Sequence, residues 1–386
     1  MQTRSLDPAD VGRAYDIRSR AFGPLADHAR PGWEASVHKA IDERRAIAVY
    51  DDNLLLGRAM IWPFQQYWGG RAVAMAGVAG VVVAPEYRGR GVGSALMDGV
   101  IERGRELGFP VSVLYPATVP VYRKRGWEMA GVQSRYTIET RLLRDLRGGP
   151  AAVREAGPAD AHTMQDLMTA AYAAGRLNGP RVFPASELAD DLRGSGVFAY
   201  LADDGFVVYG WDGKELVVYQ LVAQSAETAR ALWAVVGSGS SVSPQVQAYL
   251  APDDPLHQML GECVVEEVKQ TRWMLRLLDL RAAVDGRGFA PGVDIDVPIT
   301  VEDAQVPANC LTGRIRVAAG SGELVADEST RADAVRLTAN GLAALYAGTS
   351  LASLTTAGVA DGGSADDHAR LDAAFAGRPA YLLDYF

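Results

Sequence analysis

Residues 81–96 read VVVAPEYRGRGVGSAL, and within them Arg88, Gly89, Arg90, Gly91, Val92 and Gly93 stand where an apolar run meets an apolar-periodic segment. Glycine admits positive φ and lets a backbone come close to a ligand. The first amides of a helix have no internal partners and lie at its positive dipole end. With two arginines added, such a turn would bind a phosphate or pyrophosphate. A surface turn with two solvated arginines is the alternative that these residues alone leave open. The stretch is not a Walker loop, because GKS/T is absent, and not a dinucleotide fingerprint, because G-x-G-x-x-G fails at its third glycine.

Other chemistry is sparse. Cys263 and Cys310 stand far apart with no CxxC partner, so neither a disulfide framework nor a structural zinc site is expected, and the reducing cytoplasm is the default compartment. His28, His38, His162, His257 and His368 show no HExxH or other ligand spacing, and no metal centre is expected. No apolar run reaches the roughly 18–20 residues of a membrane span, and the N-terminus has no apolar signal core. A soluble chain without membrane association is expected. A net charge of −9 argues against a nucleic-acid partner and suits a cationic one.

The elements that must carry the turn follow from pattern. A chain of 386 residues implies two or three domains. The segment 1–149 alternates helix and strand: a helix over 8–21, strands at AIAVYDD and LLLGRAMIWPFQQYW around an Asp-Asn turn, a strand at 75–84, and a helix over 93–107 stopped by Gly108 and Pro110. VSVLYP reads as a short buried strand and a hairpin-like region runs to about 145, before the linker DLRGGPAAVRE. The segment 150–276 repeats this order of elements without the Arg/Gly cluster. The segment 277–386 differs: alternating strands DIDVPITVED and RIRVAAGSGELVADE precede small-residue helices around 338–346 and 364–376, an α+β pattern. The fold class is therefore mixed, α/β to α+β.

In this setting Arg88, Gly91 and Gly93 resemble the acyl-CoA signature R/Q-x-x-G-x-G/A of GCN5-related N-acetyltransferases, and VPVYRKRGW resembles that family's Y-x-x-x-G-F/W/Y element through Tyr122, Gly126 and Trp127. The whole layout is similar to the Enhanced intracellular survival (Eis) family of aminoglycoside-type N-acetyltransferases. The resemblance covers nearly all of the chain. It implies two tandem acetyltransferase folds, the second degenerate, and a C-terminal sterol-carrier-like domain.

Several site assignments come with that resemblance. Acetyl-CoA is the implied cosubstrate, its pantetheine held by the backbone of Val81, Val82 and Val83. Its phosphates fall to Arg88, Gly89, Arg90, Gly91, Val92, Gly93 and Ser94, with Ala117 and Thr118 lining its path. Arg90 is also compatible with a solvated position, and so is the basic run Arg123, Lys124 and Arg125. Tyr122 is the implied general acid, since a phenol of pKa about 10 suits a thiolate of about 8.5. The α-carboxylate of Phe386 is the implied base, and the backbone amide of Val83 or a neighbour the donor to the oxyanion. Trp33 and Asp27 are the implied acceptor-binding pair, with Tyr15, Phe22, Glu34 and Asp384 nearby; Trp33 also suits a core or lid position. The implied substrates are amines of aminoglycosides, polyamines or lysine side chains, and the implied assembly is a homohexamer. Tyr385 replaces the family's acidic penultimate residue and leaves the substrate range open. A rival from another class is a non-catalytic acyl-CoA-responsive or lipid-binding protein, with small residues of 338–358 around an apolar ligand; tight helix packing would use the same residues.

Overall fold

The computed structural model describes residues 1–146, 151–261, 265–330 and 332–386. The expected boundary at 149–150 and Cys263 lie outside the described residues.

In the first segment the apolar periods become the expected elements. Asp7 accepts from the Ala9 amide at the start of a short 3-10 turn, and the α-helix Val11–Phe22 then buries Val11, Ala14 and Ile17. The strands Leu54–Trp68 and Arg71–Val83 pair antiparallel, and Val111–Leu114 runs parallel beside Met75, Ala76 and Gly77. A parallel pair needs a crossover connection. The helix Val92–Glu106 supplies it, burying Leu96, Met97, Val100 and Ile101. The second segment repeats the theme with the helix Ala161–Ala174, three antiparallel strands from Val197 to Ala223 and the helix Ala226–Gly237.

The hairpin-like region expected up to about 145 is not a hairpin. It is the short helix Val119–Arg123, one long strand Glu128–Glu139 and the helix Thr140–Arg144. The partners of the long strand come from far along the chain. Val265–Leu277 pairs antiparallel with it on one side and Gln245–Leu250 on the other. Val265–Leu277 also pairs with Val111–Leu114, so it sits inside the first segment's sheet although it ends the second segment. The two units thus share one 13-stranded sheet. Alternating apolar residues specify a strand and its buried face, but not which strand lies beside it.

The third segment forms a five-stranded sheet backed by the helices Leu280–Gly286, Ala339–Tyr346, Leu351–Thr356 and Ala365–Phe375. The small-residue stretch around 338–358 is packed rather than hollow: Leu342, Ala344, Leu345, Tyr346, Leu351 and Leu354 are buried in one core with Trp68 and Phe375. Arg287, fully buried, lies over the rings of Trp68, Phe289, Tyr346 and Phe375 and donates to the Tyr346 and Phe375 carbonyls. A guanidinium at this position leaves little of that core to an apolar guest.

One ion pair fastens the third segment to the shared sheet. Arg276, on the inserted strand, donates from Nη2 to both carboxylate oxygens of Asp303 at 2.8 and 2.9 Å, with both side chains buried. Asp303 also accepts from the Gln305 and Val306 amides and from Asn309. Gly126 makes room for this group: at φ +83°, a Cβ there would fall 1.7 Å from Arg276 Nη1. Removing one partner of a buried pair strands the other charge. Asp303→Ala should therefore cost about 3–5 kcal/mol of stability in chemical denaturation, and a loss below about 1 kcal/mol would mean the pair does not hold the modules together.

Candidate active site

The strand-to-helix turn has the geometry its glycines suggest. Arg71–Val83 ends, Pro85–Tyr87 makes a short 3-10 turn, and Gly91 at φ +86° caps the helix Val92–Glu106 without any side-chain cap. Gly89 is also left-handed, at φ +75°. The helix amides are therefore directed to the cleft at the dipole's positive end. That cleft, of about 700 Å³, is lined by Val81, Val82, Val83, Arg88, Gly89, Gly91, Val92, Gly93 and Ser94, together with Ala117, Thr118 and Tyr122. All but one of the expected cofactor residues meet there. The exception is Arg90, which is exposed, lies over the Tyr87 ring and is not among the lining residues. The neighbouring basic run is largely neutralised, Arg123 by Glu128 and Arg125 by Asp98.

Within the strand pair, Arg58 lies opposite Val82 and Met60 opposite Ala79, so Gly80 and Val81 face the single residue Ala59. This is a β-bulge, which interrupts the ladder and leaves backbone groups unpaired. Val83 stands in regular register with Gly57. Val81, in the bulge, and Val83 both line the cleft.

A second cavity, of about 400 Å³, adjoins the first through Phe22, Val81, Ala117 and Tyr122, and holds Tyr385 and Phe386. Tyr122 lies on the helix Val119–Arg123 and is 6% exposed. Burial, followed by the nearby Tyr385, raises its pKa above the usual phenol range. Trp33 also lines this cavity, edge-on to Tyr15 at 5.2 Å. Asp27 does not: it is exposed on a short 3-10 turn and is not among the residues lining either cavity. Glu34 is spent on Arg30.

The tail reaches this cavity by a bonded route. The Val132 amide donates to the Ala380 carbonyl, the Leu382 amide to the Val132 carbonyl, and the Tyr381 amide to the Asn178 carbonyl. Gln133 and Tyr115 donate to the carbonyls of Leu383 and Asp384. Gly131 and Gly179 allow the passage, since a Cβ on either would lie 2.4 Å from tail backbone. The Asp384 side chain is bound by Arg181, which also pairs with Glu187. Burial alone would lower the Arg181 pKa, but its bonds to Glu187 and Asp384 raise it, so it remains charged. Phe386 then packs edge-on to Phe64 and Tyr115 at 5.1 and 5.6 Å, while Tyr385 stacks on Tyr115 and stays largely exposed.

The patterns in the sequence did not disclose the cationic side of this cavity. Arg18 and Arg58 line it. Arg58 is 1% exposed, and burial, helped by Arg18, lowers its pKa to about 10. An arginine inside an otherwise apolar strand, at LLLGRAMIW, was the available signal.

The turn generates a direct test. Gly91→Val meets no steric obstacle, since nothing lies within 4 Å of the added Cβ, but it opposes a φ of +86°. At roughly 1–2 kcal/mol for a left-handed residue, the KM for acetyl-CoA should rise about tenfold. An unchanged KM would remove this turn from cofactor binding.

Comparison with known proteins agrees with this arrangement. Acetyltransferase (GNAT) domain models match residues 2–130 and 185–277, and a sterol carrier protein domain model matches 280–383. The N-acetyltransferase Eis of Mycobacterium tuberculosis is 27% identical over 78% of this chain and 78% of its own. The crystal structure of Eis1 from Mycobacterium abscessus superposes with a TM-score of 0.76 at 22% identity, all of both chains being covered, which shows a common fold. The crystal structure of a GCN5-related N-acetyltransferase from Kribbella flavida is 46% identical, with a TM-score of 0.97 over 100% of this chain and 98% of that one. With its glycine-rich strand-to-helix turn, tandem acetyltransferase folds and carrier-like third module, this chain belongs to the GCN5-related N-acetyltransferases, in the three-part form it shares with its Eis relatives.

Proposed function

We propose that the protein transfers the acetyl group of acetyl-CoA to the amine of a small acceptor held in the cavity beside Phe386. The observation that carries this reading is the position of Tyr122, which lines both the phosphate-turn cleft and the cavity containing Phe386. A thioester bound along Val81–Val83 with its phosphates at Gly91 would bring its reacting carbon to that junction.

Each residue then has one task. The amides around Gly91 and the Arg88 guanidinium hold phosphate oxygens. The Val81 amide at the bulge donates to the carbonyl oxygen as negative charge develops there. Tyr122 gives its proton to the departing sulfur. The Phe386 carboxylate orients the attacking amine and takes up its proton, directly or through water. A carboxylate of pKa near 3.5 is a weak base for an amine, so positioning within the cavity contributes along with basicity. GCN5-related acetyltransferases generally use acetyl-CoA, which fits the turn. Amines of aminoglycosides, polyamines and lysine side chains are the acceptors that the sequence resemblance implies. The arginine-lined cavity fits such polycations poorly.

Tyr122→Phe should lower kcat about 100-fold or more, the usual range for a lost general acid, with little change in the KM for acetyl-CoA. Because the Tyr122 pKa is raised, it stays protonated in alkali, so the wild-type rate should decline only above about pH 10. A full-rate Tyr122→Phe enzyme would remove its acid role. Adding one alanine after Phe386 should reduce kcat about 100-fold while CoA still raises the melting temperature. Unaltered turnover would remove the carboxylate from the mechanism. Acceptor-dependent thiol release from acetyl-CoA across a broad amine panel tests the activity as a whole, and no release with any amine would refute it.

A further inference from the structure

Arg58 is the group the transfer chemistry leaves unused. It points from the central strand Leu54–Trp68 into the acceptor cavity, with its guanidinium carbon 5.1 Å from the centre of the Trp33 ring. Among the described residues its Nε and Nη1 have no hydrogen-bond partner, the chain's own terminal carboxylate included. Gly80, at φ +59°, leaves space for it, since a Cβ there would lie 3.0 Å from Nη1. A buried guanidinium usually comes with a carboxylate, because removal from water costs several kcal/mol otherwise. Here the charged side chain that bears on it is another cation, Arg18. None of the side chains lining the cavity is an aspartate or glutamate, and most of the others are apolar or aromatic, including Phe22, Trp33, Trp62 and Tyr115.

The carboxylates that would favour a polycation are committed elsewhere. Asp384 is held by Arg181, Glu34 by Arg30, and Asp27 lies on the surface. A polyamine in this cavity would meet two guanidiniums and only the Phe386 carboxylate. An anion, by contrast, would give Arg58 the partner it lacks, and a planar guanidinium suits a carboxylate by two parallel bonds.

We propose that the natural acceptor is a small amine that itself bears a carboxylate, held by Arg58 with Arg18 in support, its apolar or aromatic body lying against Trp33, Trp62 and Phe22. The proposal rests on the acetyltransferase reading and names its substrate class. Arg58 and the bulge residue Val81 belong to the same strand pair, so the carboxylate would sit close to the reacting centre. That favours amines separated from their carboxylate by few bonds, as in an amino acid. Arg58 here is a binding residue. It forms and breaks no bond.

Matched acceptors provide the test: tryptophan against tryptamine and phenylalanine against phenethylamine, with spermidine and kanamycin as polycations. The carboxylate-bearing member of each pair should have a kcat/KM at least about tenfold higher, mainly through KM, which corresponds to roughly 1.4 kcal/mol. Arg58→Met should erase that ratio, and Arg58→Lys should restore part of it. A readout independent of turnover is binding to the CoA-saturated protein. Tryptophan should raise the melting temperature of the wild type and not that of Arg58→Met. Since Arg58 is stranded without its ligand, Arg58→Met should also melt no lower than the wild type when acceptor is absent. Three outcomes would overturn the proposal: preference for the decarboxylated amine or the polycations, no carboxylate-dependent stabilisation of the CoA-bound wild type, or an equal kcat loss with both members of a pair in Arg58→Met. The last would place Arg58 at the thioester carbonyl. Efficient turnover of polycations alone would sink this proposal and leave the acetyltransferase reading standing, whereas carboxylate-dependent binding without any turnover would sink the acetyltransferase reading, and the acceptor role with it, and leave Arg58 as a carboxylate-binding site.

Discussion

The grip of Arg181 on Asp384 holds the chain's last turn in place. Ordering a terminus costs backbone entropy of about 1–2 kcal/mol per residue, so a tail docks only when bonds along it offset that loss. Here they are spread over three modules. Val132 and Gln133 come from the first, Asn178 and Arg181 from the second, and the tail itself from the third. The glycines at 131 and 179 act on the same constraint from the other side, by letting tail backbone approach where any side chain would collide. If this docking fails, Phe386 leaves the cavity that Tyr122 borders.

The same interdependence appears in the large sheet. Because Val265–Leu277 lies between Val111–Leu114 and Glu128–Glu139, the first acetyltransferase unit is completed by a strand that its own sequence segment does not contain. The Arg276–Asp303 pair then joins that strand to the third module. The modules visible as successive patterns along the chain are therefore not independent bodies. Long-range pairing of this kind pays loop-closure entropy before contacts return it. The site depends on that pairing, since Gly126 and Trp127, just after the Tyr122 helix, pack against Arg276.

The buried arginines are met differently by their surroundings. Among the described residues Arg58, in the cavity beside Phe386, is the one without a carboxylate or carbonyl at its Nε and Nη1 that also lacks a paired Nη2 like that of Arg276. Arg287 is as deeply buried as Arg58, but carbonyls take up both of its Nη groups and aromatic faces surround it, with only Nε left unbonded. Arg58 has one ring face and no acceptor for its Nε and Nη1. A local conflict maintained inside an otherwise consistent fold is characteristic of functional sites. The cavity's apolar walls strengthen any charge pairing made within it by lowering the local dielectric.

What could be read from the sequence was whatever depends on near neighbours along the chain. The glycine-rich turn at Arg88–Gly93 is such a feature, because φ freedom, a helix start and charge are all encoded within a few residues. The helix around 93–107, the strand pair 54–83 and the small-residue helices of the third segment were legible for the same reason, as each is a period repeated over one stretch. Through its motif, Tyr122 was legible too. Three things were decided only by tertiary structure. The partners of Glu128–Glu139 depend on strands more than a hundred residues away, and alternation does not name a partner. Asp27 and Arg90 have the right charges for their expected tasks, but the backbone turns them to solvent. The charge of the cavity beside Phe386 depends on which groups burial leaves unpaired, a balance of desolvation against pairing that exists only once Arg58, Arg18 and the docked tail line one cavity.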